Sequence, residues 1–389
     1  MDHEGLRALL SPAGQRLLVE IQAYDIDAAP VELTARLRRH HPAPLVSAVL
    51  TQTRLRRRAR EKFGAEADHM YFTPDGLEQT TRATVAAHRA RRFAGRDHVA
   101  DLCCGVGGDL VALARVGCHV SGVDLDPLTC AVARANADAL HLGERVTIAC
   151  GAAAGIDTGA YDAALCDPAR RAGGRRIFDP RAYAPSFEEA TALVRRAPGG
   201  CLKVAPGIPH RLVPADTEAE WVSQDGGVKE AALWVGDLVT ATRRRATLLP
   251  SGATLVPDDV LGPPPVRAPR RYLYEPDGAV IRAGLVAEVA ARVDGALLDP
   301  SIAYVTSDRL ASTPFARTYE ISDVLPFSLK RLRALLRERG VGTVTIKKRG
   351  SAIDVEGLRR DLRLVGERAA VLVLTRASGS PVTLICQPA

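Results

Sequence analysis

The segment from Val99 to Pro127, VADLCCGVGGDLVALARVGCHVSGVDLDP, constrains the fold more than any other part of the 389-residue chain. Val99 to Cys104 is a short apolar run, followed at once by Gly105-Val106-Gly107-Gly108. Leu110, Val111, Leu113 and Ala114 then recur at helical spacing, and a second apolar run, His119 to Val123, ends in Asp124. The order strand, glycine turn, helix, strand, acid opens a parallel α/β sheet of the kind that binds a nucleotide at its carboxyl edge. The glycines let backbone approach a ligand, and the helix N-terminus presents free N–H groups. Asp124, 17 residues beyond Gly107, stands where it can accept hydrogen bonds from two ribose hydroxyls.

Two ligands compete for such a turn. A dinucleotide needs G-x-G-x-x-G, whose third glycine permits close helix–strand packing. Leu110 occupies that third place and Asp109 would set a negative charge beside a pyrophosphate, so both oppose a dehydrogenase. An acid also closes the first strand as Asp101, four residues before Gly105. The pattern D-x-x-x-G-x-G with a second-strand acid resembles the class I S-adenosylmethionine-dependent methyltransferases. That resemblance implies a cofactor with a sulfonium, an amino-acid tail and no phosphate, for which nearby carboxylates are suited. By the same resemblance Gly105, Gly107 and Asp124 hold the cofactor and Asp101 sits near its methionine end. Cys103 takes the place of the family's usual first glycine and is counted with the cofactor-binding positions.

More narrowly, D-x-x-C-G-V-G-G is similar to the trimethylguanosine-synthase group of RNA methyltransferases. In that group an aromatic-x-x-T-P segment before the sheet covers the methionine end of the cofactor. Here Tyr71-Phe72-Thr73-Pro74-Asp75-Gly76 precedes the sheet, and the likeness implies Phe72, Thr73 and Gln79 as cofactor neighbours. Read from the residues alone, Thr73 or Asp75 caps a helix starting near Gly76.

A chain of this length suggests two or three domains, and 47% hydrophobic content supplies a sizeable core. Aromatics at 4% argue against a base-stacking platform of several rings, while a net charge of +7 fits a nucleic-acid partner. The eight cysteines form no C-x-x-C pair and read as small buried thiols of a reducing compartment, neither disulfides nor metal ligands. No signal-peptide region or membrane-spanning run is evident, so a cytoplasmic location without membrane or metal partners is expected.

In chain order, residues 1–95 read as a helical region. Its basic run, Arg54 to Arg60, reads equally as a solvated helix face or as a phosphate contact. Residues 96–255 carry the cofactor-binding sheet, with strands at Val146–Cys150, Tyr161–Cys166 and Cys201–Ala205 and a closing hairpin of Trp221–Ser223 with Ala231–Val239. No acid follows the third strand to hold an adenine amino group. The fourth strand leads into Asp167-Pro168-Ala169-Arg170, which resembles the [DNS]-P-P-[YFW] motif of methyltransferases acting on exocyclic or amide nitrogens. The likeness implies catalytic roles for Asp167, Pro168 and Arg170, with a guanidinium in place of the ring that stacks on the base. Gly173-Gly174-Arg175-Arg176 continues as a loop able to close over substrate, and Arg243-Arg244-Arg245 reads as a solvated edge.

Residues 256–270 form a proline-rich linker. Residues 271–389 alternate strand and helix patterns, with basic groups at Lys330, Arg331, Arg333, Lys347, Lys348 and Arg349. The whole arrangement resembles bacterial methyltransferase-like proteins with a THUMP-like C-terminal domain. The expected fold is therefore α/β: a helical N-terminal region, a Rossmann-like seven-stranded methyltransferase sheet, and a small α/β THUMP-like domain. The expected function is S-adenosylmethionine-dependent methylation of RNA at a base nitrogen. The alternatives are a non-catalytic RNA-binding protein that keeps the fold, and a small-molecule or protein methyltransferase.

Overall fold

The structure, a computed structural model, describes residues 2–169, 171–172, 175–176 and 182–389, with backbone alone at 171–172 and 175–176. Arg170 and Gly173-Gly174, singled out above, lie outside the described residues. Two compact units form: residues 1–218 with 231–241, and residues 219–230 with 242–389.

The first unit begins with α1 (His3–Leu10), α2 (Pro12–Ile21), α3 (Pro30–Arg38) and the long α4 (Ala43–Phe63). Asp2 and Ser11 cap the first two helices through their side chains. Leu6, Leu9, Leu17, Leu18, Ile21, Val46 and Val49 gather into one core, as their helical spacing requires. Four arginines of the basic run on α4 find partners within the helical region, and Arg58 is exposed. Arg56 is buried, donates from Nε to the Met70 carbonyl at 2.8 Å and lies over the Tyr71 ring. Arg54 and Arg57 pair with Asp27, and Arg60 pairs with Asp68. The run holds the helical region to itself. After α4 come α5 (Pro74–Gln79) and α6 (Ala83–Ala90); Thr73, not Asp75, caps α5, accepting from Gly76 N–H at 3.0 Å.

The sheet follows: β1 (His98–Leu102), α7 (Gly108–Arg115), β2 (His119–Asp124), α8 (Pro127–Ala139), β3 (Val146–Cys150) and β4 (Ala163–Cys166). A short pair, β5 (Arg171–Ala172) with β6 (Arg175–Arg176), precedes α9 (Phe187–Arg196) and β7 (Gly199–Val204). Then come β8 (Glu218–Gln224) and β9 (Gly227–Gly236), joined by a turn at Asp225-Gly226. The order within the first unit is β3–β2–β1–β4–β7–β9, parallel except for β9, which runs antiparallel to β7. The chain reverses its direction of travel across the sheet between β1 and β4, which opens a crevice at their carboxyl ends. β8 is the hairpin partner of β9, as expected for the closing hairpin.

The second unit takes in β8 and the chain from residue 242 onward, so it starts well before the proline-rich segment. Arg243 is exposed as expected, but Arg244 and Arg245 are half-buried and open β10 (Arg244–Leu249), parallel to β8 and antiparallel to β11 (Ala253–Leu255). Ala246, Leu248 and Leu249 bury the second half of that strand, where Thr247 donates to Glu220 Oε1 at 2.6 Å. A seven-stranded sheet follows, built from β12 (Tyr272–Pro276), β13 (Ala296–Asp299), β14 (Ile302–Ser307), β15 (Ala316–Pro326), β16 (Val341–Lys348), β17 (Arg368–Ala377) and β18 (Ser380–Pro388). Helices α10 (Gly278–Ala283) and α11 (Val286–Arg292) lie between β12 and β13; α12 (Leu329–Glu338) and α13 (Val355–Leu362) flank β16 in the chain. Leu332, Leu336, Leu358 and Leu362 seat the last two helices on the sheet. β16 and β17 are parallel with α13 between them, the α/β module read from the sequence.

Candidate functional site

The crevice between β1 and β4 is lined by the glycine turn. Gly105 and Gly107 have φ of 56° and 90°, the left-handed region that glycine enters without strain. Cys103 has φ of 63°, so the residue standing for the family's usual glycine occupies a backbone conformation that favours glycine. Gly108 opens α7, and a Cβ there would collide with Thr80 Oγ1; its absence lets residues 80–81 lie against the helix start.

Asp124 ends β2 and is half-buried. Its Oδ2 accepts from Gly105 N–H at 3.0 Å and its Oδ1 from Asp126 N–H at 3.1 Å, so it braces the glycine turn. Asp101, on β1, is 1% exposed, and its Oδ2 meets no donor among the described residues. Burial pushes its carboxyl well above the usual carboxylate range, with Asp109 and Asp167 acting the same way against Arg89 and Lys203. An acceptor buried without a donor is costly unless a ligand supplies one. A cofactor with an ammonium group and a sulfonium fits that environment.

Thr73 is half-buried and Gln79 is exposed, both beside the turn formed by α5. Phe72 is different. Its ring is fully buried, 5.5 Å from Phe63 in the helical core, and has no surface left for a ligand. Its apolarity serves packing, which outweighs the motif likeness as an account of the residue. Lys62 Nζ donates to the carbonyls of Leu77, Glu78 and Thr80 and so fixes the end of α5.

Asp167 follows β4, its N–H donating to the Leu102 carbonyl of neighbouring β1 at 3.1 Å. Pro168 beside it is buried. The Asp167 side chain is 22% exposed and its Oδ2 accepts from Lys203 Nζ at 2.5 Å. Lys203, on β7, was not among the residues read as functional; a lone lysine in an otherwise apolar strand, CLKVA, was the available signal. It is 3% exposed and also donates to Thr81 Oγ1 at 2.6 Å. Thr81 in turn donates to Asp109 Oδ2 at 2.8 Å, and Arg89 donates to Asp109 Oδ1. Burial works against an ionised Asp109, but Arg89, Lys203 and the Thr81 hydroxyl outweigh it and hold the carboxyl below its usual range.

The thiols divide. Cys104, Cys118, Cys166 and Cys201 are buried as expected, whereas Cys150 is exposed and Cys103 half-buried. Hydrogen-bonded to Cys103 and buried, the Cys166 thiol is held well above its ordinary range. Among the described residues no cluster of three or more His, Cys, Asp or Glu side chains could hold a metal, and no helix is long and apolar enough to cross a membrane.

A parallel sheet with this crossover, a glycine turn and an acid closing each of its first two strands defines a nucleoside-cofactor methyltransferase class. Comparison with known proteins agrees. A methyltransferase-domain profile matches residues 99–178, a THUMP domain-like profile matches residues 316–388, and a domain of unknown function matches residues 2–59. Two Mycobacterium tuberculosis proteins, from strains CDC 1551 and H37Rv, are each 40% identical over 354 residues, covering 86% of this chain and 95% of theirs. Both are described as uncharacterized S-adenosylmethionine-dependent methyltransferases. The crystal structure of a candidate methyltransferase from Porphyromonas gingivalis W83 shares the fold, with a TM-score of 0.76 at 24% identity over 90% of this chain and 92% of that one. The chain belongs to the S-adenosylmethionine-dependent methyltransferases, with a THUMP-like domain at its C-terminus. S-adenosylmethionine is its cofactor.

Proposed function

We propose that the enzyme methylates RNA at a base nitrogen. Two features support this reading, and the second carries it. First, Asp167 keeps a partly exposed carboxylate at the carboxyl end of β4, suited to accept a hydrogen bond from an acceptor NH2. Second, the THUMP domain-like segment carries Lys330, Arg331 and Arg337 on α12, with Arg360 on α13 and Arg363 at its end, all exposed. None of these five makes an ion pair or side-chain hydrogen bond among the described residues. Unneutralised cations on one helical layer are the footprint of phosphate binding. The run at Lys347–Arg349 contributes less, because Lys347 pairs with Glu275 and Arg349 donates to the Ala303 carbonyl. Arg333 likewise donates to the Asp361 carbonyl, and Lys348 to that of Ile353.

In this reading Gly105, Gly107, Cys103 and Asp124 cradle the nucleoside end of the cofactor. Asp101 receives its ammonium, and Thr73 and Gln79 border the methionine end. When bound, S-adenosylmethionine supplies a methyl on a positively charged sulfur, so transfer to a neutral nitrogen leaves a thioether and releases one proton. The chain's own part is orientation: Asp167 aims the nitrogen lone pair, Pro168 stiffens the backbone that carries it, and no strong base is required.

Incubation with labelled S-adenosylmethionine and total bacterial RNA, followed by nucleoside analysis, tests the reading. Label in a methylated base is expected; label confined to protein or small molecules would overturn it. Asp167→Ala should lower turnover by about two or more orders of magnitude while cofactor affinity stays nearly intact, because Asp167 meets the acceptor and not the cofactor. Equal methylation by Asp167→Ala and wild type would remove this loop from the chemistry.

A further inference from the structure

A lysine inside a fully buried strand needs a reason, since an unpaired ammonium there would be expelled or neutralised. Lys203 has two partners, and the chemistry of each sets the direction of the chain they form. An ammonium only donates, so the Thr81 oxygen must accept from it, and the Thr81 proton is then given to Asp109. Arg89 closes the far end on Asp109, and Asp167 Oδ2 closes the near end on Lys203. The five residues come from α6, the segment before it, α7, β7 and the end of β4. Asp101 on β1 lies within electrostatic reach of both cations, and Lys62 on α4 within reach of Lys203. Three carboxyl groups thus share one small buried volume, and Lys203 is the cation that touches the one nearest solvent.

We propose that Lys203 is a positioning residue for methyl transfer: anchored on Thr81, its ammonium holds one oxygen of Asp167 and turns the other toward the acceptor nitrogen. It presupposes the role given to Asp167 above. Lys203 meets neither cofactor nor acceptor in this scheme; it acts through Asp167 alone. With residues 80–81 lying against Gly108, Thr81 reaches both Lys203 and Asp109.

The test is a cycle of Lys203→Met, Asp167→Asn and the double variant, read as kcat and as KM for S-adenosylmethionine. Label is counted separately in total bacterial RNA, in protein and in a small-molecule extract. Lys203→Met should lower kcat about 10- to 100-fold, the scale of a misplaced reacting group, with KM for S-adenosylmethionine changed less than about twofold. The double variant should be no slower than Asp167→Asn, because Lys203 has nothing to position once the carboxylate is gone. It also removes both charges of the pair, so it stays informative if Lys203→Met alone fails to fold, as thermal unfolding would reveal. Thr81→Val keeps the ion pair and loses its anchor, and should slow kcat without altering KM. Wild-type kcat in a folded Lys203→Met, or losses that multiply in the double variant, would overturn the proposal. Label appearing only in protein or small molecules would sink the RNA reading alone, because the cycle is then read on that acceptor.

Discussion

At the scale of single residues, Asp124 is engaged before any ligand arrives, with one backbone N–H on each oxygen. A carboxylate offers about four acceptor sites, so two remain for ribose hydroxyls. Asp124→Ala should weaken S-adenosylmethionine binding by about 1–3 kcal/mol, the cost of charge-assisted hydrogen bonds left unmade. Calorimetry on a folded variant with unchanged affinity would take Asp124 out of the site. Asp101 makes a prediction of opposite character. Its carboxyl is held well above the usual range by burial, then by Asp109 and Asp167, and a cation arriving beside it must lower it. Between the bound-state and free-state ranges, binding therefore releases a proton and affinity rises with pH. Calorimetry in buffers of different ionisation heat should count that proton for wild type and not for Asp101→Asn. A proton count of zero for wild type would separate Asp101 from the cofactor's cation.

At the scale of elements, the glycine turn is held from behind by α8. Asn136 is fully buried; its Oδ1 accepts from Tyr71 N–H at 2.6 Å, and its Nδ2 donates to the carbonyls of Tyr71 and Val106 at 3.0 and 2.8 Å. One side chain thus satisfies three backbone groups and ties the segment before α5 to the turn that carries Gly105 and Gly107. Replacing it with leucine leaves those groups buried without partners, at about 1–3 kcal/mol for each that water cannot reach. Asn136→Leu should lower the urea midpoint accordingly and weaken cofactor binding with it. A midpoint equal to wild type would mean that the three groups find other partners. Strand ends show a similar contrast between local and distant causes. The glycine turn is a local pattern and was legible, and the cap on α5 was narrowed to Thr73 or Asp75, of which Thr73 is the one used. β10 and β12 were not legible, because β8 for the one and β14 and β15 for the other lie well away along the chain, and nothing in their own few residues announces those partners.

At the scale of the whole molecule, charge separates into two uses. Arg54, Arg56, Arg57 and Arg60 of α4 are engaged by carbonyls and acids of the helical region, whereas Lys330, Arg331 and Arg337 of α12 and Arg360 of α13 face solvent with no side-chain partner among the described residues. RNA affinity should therefore fall steeply with salt. Lys330→Gln, Arg331→Gln and Arg360→Gln together should flatten that dependence by about one unit of log–log slope for each phosphate no longer neutralised. Fluorescence anisotropy across a salt series, with thermal unfolding as a control for fold, reads both effects. The same triple change at Arg54, Arg57 and Arg60 should cost stability and leave the slope alone. A slope that responds to α4 and not to α12 and α13 would relocate the RNA surface.

The amino-acid sequence by itself determined the succession of strand, glycine turn, helix and strand at the centre of the sheet, the acids that close β1 and β2, and the placing of Asp167 at the end of β4. Each depends on a few adjacent residues whose backbone needs and periodicity are local. Only the tertiary structure decided what those groups meet. It put Lys203 under Asp167, turned Phe72 into core, left Asp101 with an orphaned oxygen, and spent the α4 arginines on internal partners. Charge and hydrogen bonding inside a fold are settled by which distant elements come together, and no local pattern carries that information.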